Sequence, residues 1–168
     1  LLPKDIARPL AQVHFKLAPA NPQTRFQALN RLADGADASL KDLFVHASED
    51  PDGKVREAAV RGLLRAGAED VEQELVTMLK DPSPEVRSTV LKELAQDPDG
   101  ALIPELVAYV GREQEEDLIV QAVGILGQLR DRDKAFDALI KLTEHSAWRV
   151  RAAAVKALAS DETSSAQQ

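Results

Sequence analysis

Apolar residues fall along this chain with the spacing of one helix face, and that spacing repeats. In Val55-Arg56-Glu57-Ala58-Ala59-Val60-Arg61-Gly62-Leu63, the apolar set Val55, Ala59, Val60 and Leu63 lies at i, i+4, i+5 and i+8. Such a set shares a single side of an α-helix. The template returns at Val86, Val90, Leu91 and Leu94, at Leu118, Ala122, Val123 and Leu126, and at Val150, Ala154, Val155 and Leu158. A weaker copy is Thr24, Ala28, Leu29 and Leu32. The first positions, 24, 55, 86, 118 and 150, are separated by 31, 31, 32 and 32 residues. A near-constant period of this length marks stacked supersecondary units.

A second apolar stripe precedes each copy: Leu10, Val13, His14 and Leu17; Leu40, Leu43, Phe44 and Ala47; Val71, Leu75, Met78 and Leu79; Ile103, Leu106, Val107 and Val110; Phe136, Leu139, Ile140 and Leu142. Each unit therefore reads as helix A, turn, helix B. Asp50-Pro51 and Asp81-Pro82 fall between the two helices, where proline forbids a continuous helix. Gly35 and Gly67 follow B helices as C-terminal caps do, and Pro104 falls in the first turn of its A helix. A single hairpin cannot bury both of its apolar faces, whereas stacked hairpins share a continuous core. The expected fold is all-α, a solenoid of about five hairpins in one domain over residues 1–160. The repeats run roughly 6–34, 36–67, 69–97, 100–130 and 132–160. Residues 161–168 are polar and aperiodic, a disordered tail by composition.

The turns and helix starts carry a further pattern. Asp50-Pro51 through Val55-Arg56, and Asp81-Pro82 through Val86-Arg87, resemble HEAT repeats of the short bacterial type, as does Trp148-Arg149-Val150-Arg151 ahead of Ala154-Val155. The resemblance covers roughly residues 10–159. It implies a right-handed superhelix with B helices on the concave side. It also implies a ladder between the Asp before Pro and the Arg after Val, formed by Asp50, Asp81, Arg56, Arg87 and Arg151. It leaves the ladder open in three repeats. The first has Pro19-Ala20 for Asp-Pro, the fourth has Glu113-Gln114 and Ile119, and the fifth has His145-Ser146. At the position of Trp148 the family often carries a packing aromatic, so that ring is expected to be buried.

Composition narrows the function. Aromatics are 4% of the 168 residues, so the core is aliphatic. The formal net charge of -7 disfavours a general nucleic-acid binder, which needs a basic footprint. The chain has no cysteine, which excludes disulfides, thiolate metal sites and cysteine nucleophiles. No apolar run reaches the roughly 18–20 residues of a bilayer span, so no membrane insertion is expected. No secretory signal is visible, and a cytoplasmic location is slightly favoured by default. The chain opens on Leu1, so the expectation is a monomer or a domain of a longer protein, from which a removed targeting segment would be invisible.

Candidate chemistry is sparse. His14 and His46 lie 32 residues apart, but no further inward ligand completes a metal site. No cofactor is expected. Among HEAT-like enzymes, the iron-dependent hydroxylases carry His-Glu dipeptides, and here His14, His46 and His145 are followed by Phe15, Ala47 and Ser146. A bilin-lyase-like or base-handling enzyme would need aromatic or basic groups converging in a groove. The sequence shows only Phe15, Phe26, Phe44, Tyr109, Phe136 and Trp148, scattered. No phosphate loop or nucleophile elbow is present. A non-catalytic scaffold is the leading expectation. An enzyme or enzyme subunit is the alternative, and a structural spacer the third reading.

Positions three, six and ten after each B-helix anchor should point away from the core. They make a polar strip in which Arg61, Arg65, Lys92, Gln96, Gln121, Gln128 and Lys156 are the candidate partner-binding residues. The strip places positive charge on an acidic chain, so the expected partner is an acidic protein or peptide. The run Glu113-Gln114-Glu115-Glu116-Asp117 is expected in a turn, as a solvated loop or a docking site for a basic partner.

Overall fold

The computed structural model describes residues 21–67, 71–96, 98, 100–129 and 133–159, and every regular element among them is helical. In order they are α1 (Pro22–Ala33), a 3₁₀ turn (Ala38–Leu40), α2 (Lys41–Ala47), α3 (Gly53–Ala66), α4 (Val71–Met78) and α5 (Pro84–Leu94). A second 3₁₀ turn (Gly100–Leu102), α6 (Ile103–Arg112), α7 (Glu116–Gln128), α8 (Asp133–Leu142) and α9 (Trp148–Ala159) follow. Helices α2, α4, α6 and α8 are the A helices, and α1, α3, α5, α7 and α9 are the B helices. The A helix expected around Leu10–Leu17 and the polar tail lie outside the described residues.

Local chemistry sets the helix ends. Asn21 Oδ1 accepts from the Gln23 N–H at 2.9 Å, and Pro22, with no N–H to leave orphaned, starts α1. Asp52 Oδ1 accepts from the N–H groups of Lys54 and Val55 at 2.9 and 3.3 Å to start α3. Helix α3 stops at Gly67, whose φ of 57° is left-handed. Gly35 does not play that part. Helix α1 closes at Asp34 in right-handed geometry with its N–H donated to Asn30, and Gly67 is the one positive-φ glycine among the described residues. Pro104 sits in the first turn of α6, as expected. Glu116 and Asp117 leave the acidic run to form the first turn of α7, where carboxylates complement the helix dipole.

The chain divides into two compact units, residues 1–90 and 91–168, with the boundary inside α5. In the first, α1 packs along α3, and α2 packs on α3. Leu29, Leu40, Phe44, Val55, Ala59, Val60 and Leu63 are completely buried there. The Phe44 ring lies so close to Gly62 that a Cβ at that glycine would come within 2.1 Å of it. In the second unit, α7 packs along α9, α6 on α7, and α8 on α9 and α6. Ile103, Tyr109, Ala122, Val123, Leu126, Val150 and Ala154 form its core.

The anchors Val55, Val86, Leu118 and Val150 are all buried, in the phase the sequence spacing predicts. The last hairpin departs from that phase. Ala135 and Leu139 are the buried positions of α8, and Phe136 and Ile140 are exposed. Trp148, expected to pack inside, is 69% exposed, and Val155 is 55% exposed. Trp148 is the first residue of α9.

Candidate protein-interaction surface

The edge formed by the A-to-B turns is fixed by arginine. Arg25 of α1 forks onto Asp50, with Nε to Oδ2 at 2.6 Å and Nη2 to Oδ1 at 2.8 Å. Arg56 of α3 repeats the fork on Asp81 at 2.7 and 2.8 Å. Each rung crosses 25 residues, joining a B helix to the turn of the following hairpin. Two parallel N–H···O bonds per pair give these contacts directional specificity. The side chains are 14% and 7% exposed in the first rung and 13% and 6% in the second. Burial alone would push the Asp50 carboxyl up. The Arg25 fork, the Asp52 N–H and the Arg25 and Arg56 charges outweigh it and hold that carboxyl below its ordinary value. Hydrogen bonding to Asp50 and Asp81 pushes the Arg25 and Arg56 guanidiniums up, against the opposing effect of burial.

Arg56, Arg87 and Arg151 brace their own turns. Arg56 Nη1 donates to the carbonyls of Asp50 and Pro51 at 2.8 and 3.1 Å, and Arg87 to those of Asp81 and Pro82 at 2.8 and 3.4 Å. Arg151 donates to those of His145 and Ser146 at 2.9 and 2.6 Å. The first rung uses Arg25 although its own turn lacks Asp-Pro, because its carboxylate comes from the next hairpin. The turns that lack Asp keep its local role by substitution. Asp50 and Asp81 each accept from the N–H two residues on. Glu113 Oε1 does so for Glu115 at 3.0 Å, and His145 Nδ1 for Ala147 at 3.1 Å. Glu113 also accepts from the buried Tyr109 hydroxyl at 2.6 Å. His145 is thus a turn acceptor.

The outward faces of the B helices carry the candidate strip. In the first unit, Arg61 and Arg65 sit one turn apart on α3. Arg61 donates to Asn30 Oδ1 at 3.3 Å and lies 3.9 Å from Glu57, and Arg65 pairs with Asp34 at 3.1 Å. Both arginines are therefore matched by acidic neighbours. In the second unit, Lys92, Gln128 and Lys156 are exposed and Gln121 is half-buried. Gln96, exposed, donates to Glu93 at 2.8 Å. Ala58, placed on the outward strip by its spacing, is completely buried. Positions six and ten after each anchor are the outward ones. Position three is buried at Ala58, half-buried at Thr89, Gln121 and Ala153, and exposed at Gln27.

Among the described residues no three His, Cys, Asp or Glu side chains converge as a metal site would require, and no helix is long and apolar enough to cross a membrane.

Paired helices in a fixed period, with rungs binding consecutive hairpins, define an α-helical repeat protein. The model for HEAT repeats matches residues 40–118 and 103–167, together well over half of the chain, and the chain belongs to that family. No curated protein matches it. Repeats of this family generally mediate protein interactions.

Proposed function

We propose that this chain is a non-catalytic interaction module that binds a protein or peptide through the outward polar face of its B helices. The observation that carries the reading is the repeat-phased placement of cations on that face. Arg61 and Lys92 occupy the same position six residues after their anchors, and Lys156 is its fifth-repeat copy. Lys92 and Lys156 are exposed and take part in no ion pair among the described residues. Solenoids use extended side-by-side helix faces of this kind for binding. The preferred partner on this reading is acidic. It contacts the lysines directly and competes with Asp34 and Glu57 for the two arginines.

The test is anisotropy of a fluorescein-labelled, extended Glu/Asp-rich peptide titrated with the intact chain. Arg61→Glu with Lys92→Glu, both surface changes, should weaken binding by at least about tenfold at low salt. Equal affinity of the double variant would remove this face from the binding surface.

A further inference from the structure

Four large apolar side chains are exposed among the described residues: Phe136, Ile140, Trp148 and Val155, at 52%, 44%, 69% and 55%. All belong to the α8–α9 hairpin. A cluster of this kind on an otherwise polar exterior marks an interaction surface. On α9 the exposed residues Trp148, Ala152, Val155 and Ala159 fall at i, i+4, i+7 and i+11, an unbroken apolar stripe. It lies on the opposite side of the helix from the buried Val150, Ala154 and Ala157. Phe136 and Ile140, at i and i+4, form a second stripe beside the buried Ala135 and Leu139 of α8.

The repeat identifies the shape that fits this face. Val155 is the fifth copy of a position held by Leu29, Val60, Leu91 and Val123, each completely buried. Helix α7, which carries Val123, has α9 stacked along it. Helix α9 has no helix after it among the described residues. For the helices that carry Leu29 and Val123, the complement is the next B helix, stacked along them.

Charge selects among helices. Helix α9 contains Arg149, Arg151 and Lys156 and no acidic residue. Residues 133–159 hold five basic and three acidic residues in a chain of net charge -7. Arg149 is held by Asp117, whereas Lys156, beside Val155, is exposed and outside any ion pair among the described residues. A second copy meeting this face symmetrically would oppose one basic stripe to another. The segment Ser160–Gln168 has Ala166 as its single apolar residue and cannot fill the stripe.

We propose that the open face of α8–α9 docks an amphipathic helix of a partner protein. The apolar stripe of that helix seats on Trp148, Val155, Phe136 and Ile140, and its flanking carboxylates meet Lys156. The two surfaces share Lys156 but neither Arg61 nor Lys92, so the Arg61→Glu/Lys92→Glu variant retains this site.

Trp148 is the sole tryptophan and reports its own burial. The probe is a blocked synthetic peptide with Leu at i, i+4, i+7 and i+11 and Glu on both flanks. The expected result is a saturable blue shift of Trp148 fluorescence. A Lys-flanked peptide with the same leucines should bind about tenfold more weakly. Val155→Glu and Ile140→Glu should keep the helical circular dichroism and lose the shift. The proposal is overturned if the Glu-flanked peptide gives no shift or if the two peptides bind equally. It is also overturned if raising the protein concentration alone gives the shift with a dimer mass in sedimentation, which would seat a second copy on the face. A shift with phosphatidylserine vesicles and none with the peptide would assign it to a lipid surface and overturn it equally.

Discussion

Replacing Gly62 by alanine should destabilise this protein, although the substitution lies in the middle of a helix. Alanine is favoured over glycine in a helix interior by about 0.8–1 kcal/mol. At Gly62 that gain meets an obstacle. An added Cβ would lie 2.1 Å from Cε1, 2.2 Å from Cδ1 and 2.5 Å from Cζ of Phe44. Carbon atoms in contact need about 3.5–4.0 Å, so the ring must withdraw by more than an ångström. Phe44 is completely buried, on a helix packed against α3. Forced overpacking of this kind costs about 1–3 kcal/mol, occasionally more. A 2.1 Å approach belongs at the upper end of that range, so the net loss should be about 2 kcal/mol, or about 4–8 °C in a chain of this length. Gly124→Ala is the matched control. It lies inside α7, is exposed, and an added Cβ meets nothing within 4 Å. That variant should gain about 0.5–1 kcal/mol. Thermal and urea unfolding followed by circular dichroism measure both. Phe44→Leu added to Gly62→Ala should recover part of the loss, giving a coupling of at least about 0.5 kcal/mol. A Gly62→Ala chain as stable as Gly124→Ala would refute the packing of α2 against α3.

The ladder and the open end give two further outcomes. Asp50→Asn removes the carboxylate from a rung whose side chains are 14% and 7% exposed and should cost about 2–4 kcal/mol near neutral pH. Because the folded state lowers the Asp50 pKa, its stabilisation is complete above the ordinary value of 3.8 and disappears as pH falls through the depressed one. The difference between parent and variant in urea midpoint should therefore narrow below that value, and a constant difference down to strong acid would contradict the rung. Val123→Ala and Val155→Ala share a repeat position but not a burial. The first should cost about 2 kcal/mol and the second less than about 0.5 kcal/mol in the same unfolding assay, and equal costs would contradict the exposure of α9.

The positions that were legible in the sequence are those whose environment is set inside the repeat. Val55, Val86, Leu118 and Val150 are all buried, and the period alone locates them. Positions set by a neighbouring repeat were harder to read. Val155 carries the same pattern as Val123, yet exposure depends on whether a helix lies beyond it, and no local pattern records that. Arg25 was obscured for the same reason: its own turn has Pro19-Ala20, while its carboxylate is Asp50, 25 residues ahead. A search pairing each B-helix arginine with the carboxylate of the next turn would have found it. Ala58 was assigned outward by spacing, but its small side chain is what admits a neighbouring helix, so it is buried. His145 occupies the Asp position of the fifth turn, but a histidine there does not by itself announce an acceptor. Its Nδ1 replaces the aspartate oxygen of the other turns.

The distribution of positive charge argues which surfaces remain for a partner. Arg25, Arg56, Arg87 and Arg151 share one phase of the repeat, which by sequence alone reads equally well as a set of anion-binding groups. The structure gives each a carboxylate, a carbonyl pair or both. An anion reaching these arginines would have to displace bidentate bonds and leave turn carbonyls unpaired, at a cost of about 1–3 kcal/mol for each polar group left unsatisfied. Arg61 and Arg65 are intermediate, since their partners Asn30, Glu57 and Asp34 are surface groups that a ligand can replace without opening the core. Surface pairs of that kind contribute about 0–1 kcal/mol, so competition there is nearly cost-free. Lys92 and Lys156 have no such partner to displace among the described residues. A carboxylate-bearing ligand is therefore expected to contact the B-helix lysines first and the α3 arginines second, and to leave the ladder intact. In mutational terms, charge reversal at Lys92 should change acidic-peptide affinity without moving the unfolding midpoint, whereas any change at Arg56 should move the midpoint before it touches binding.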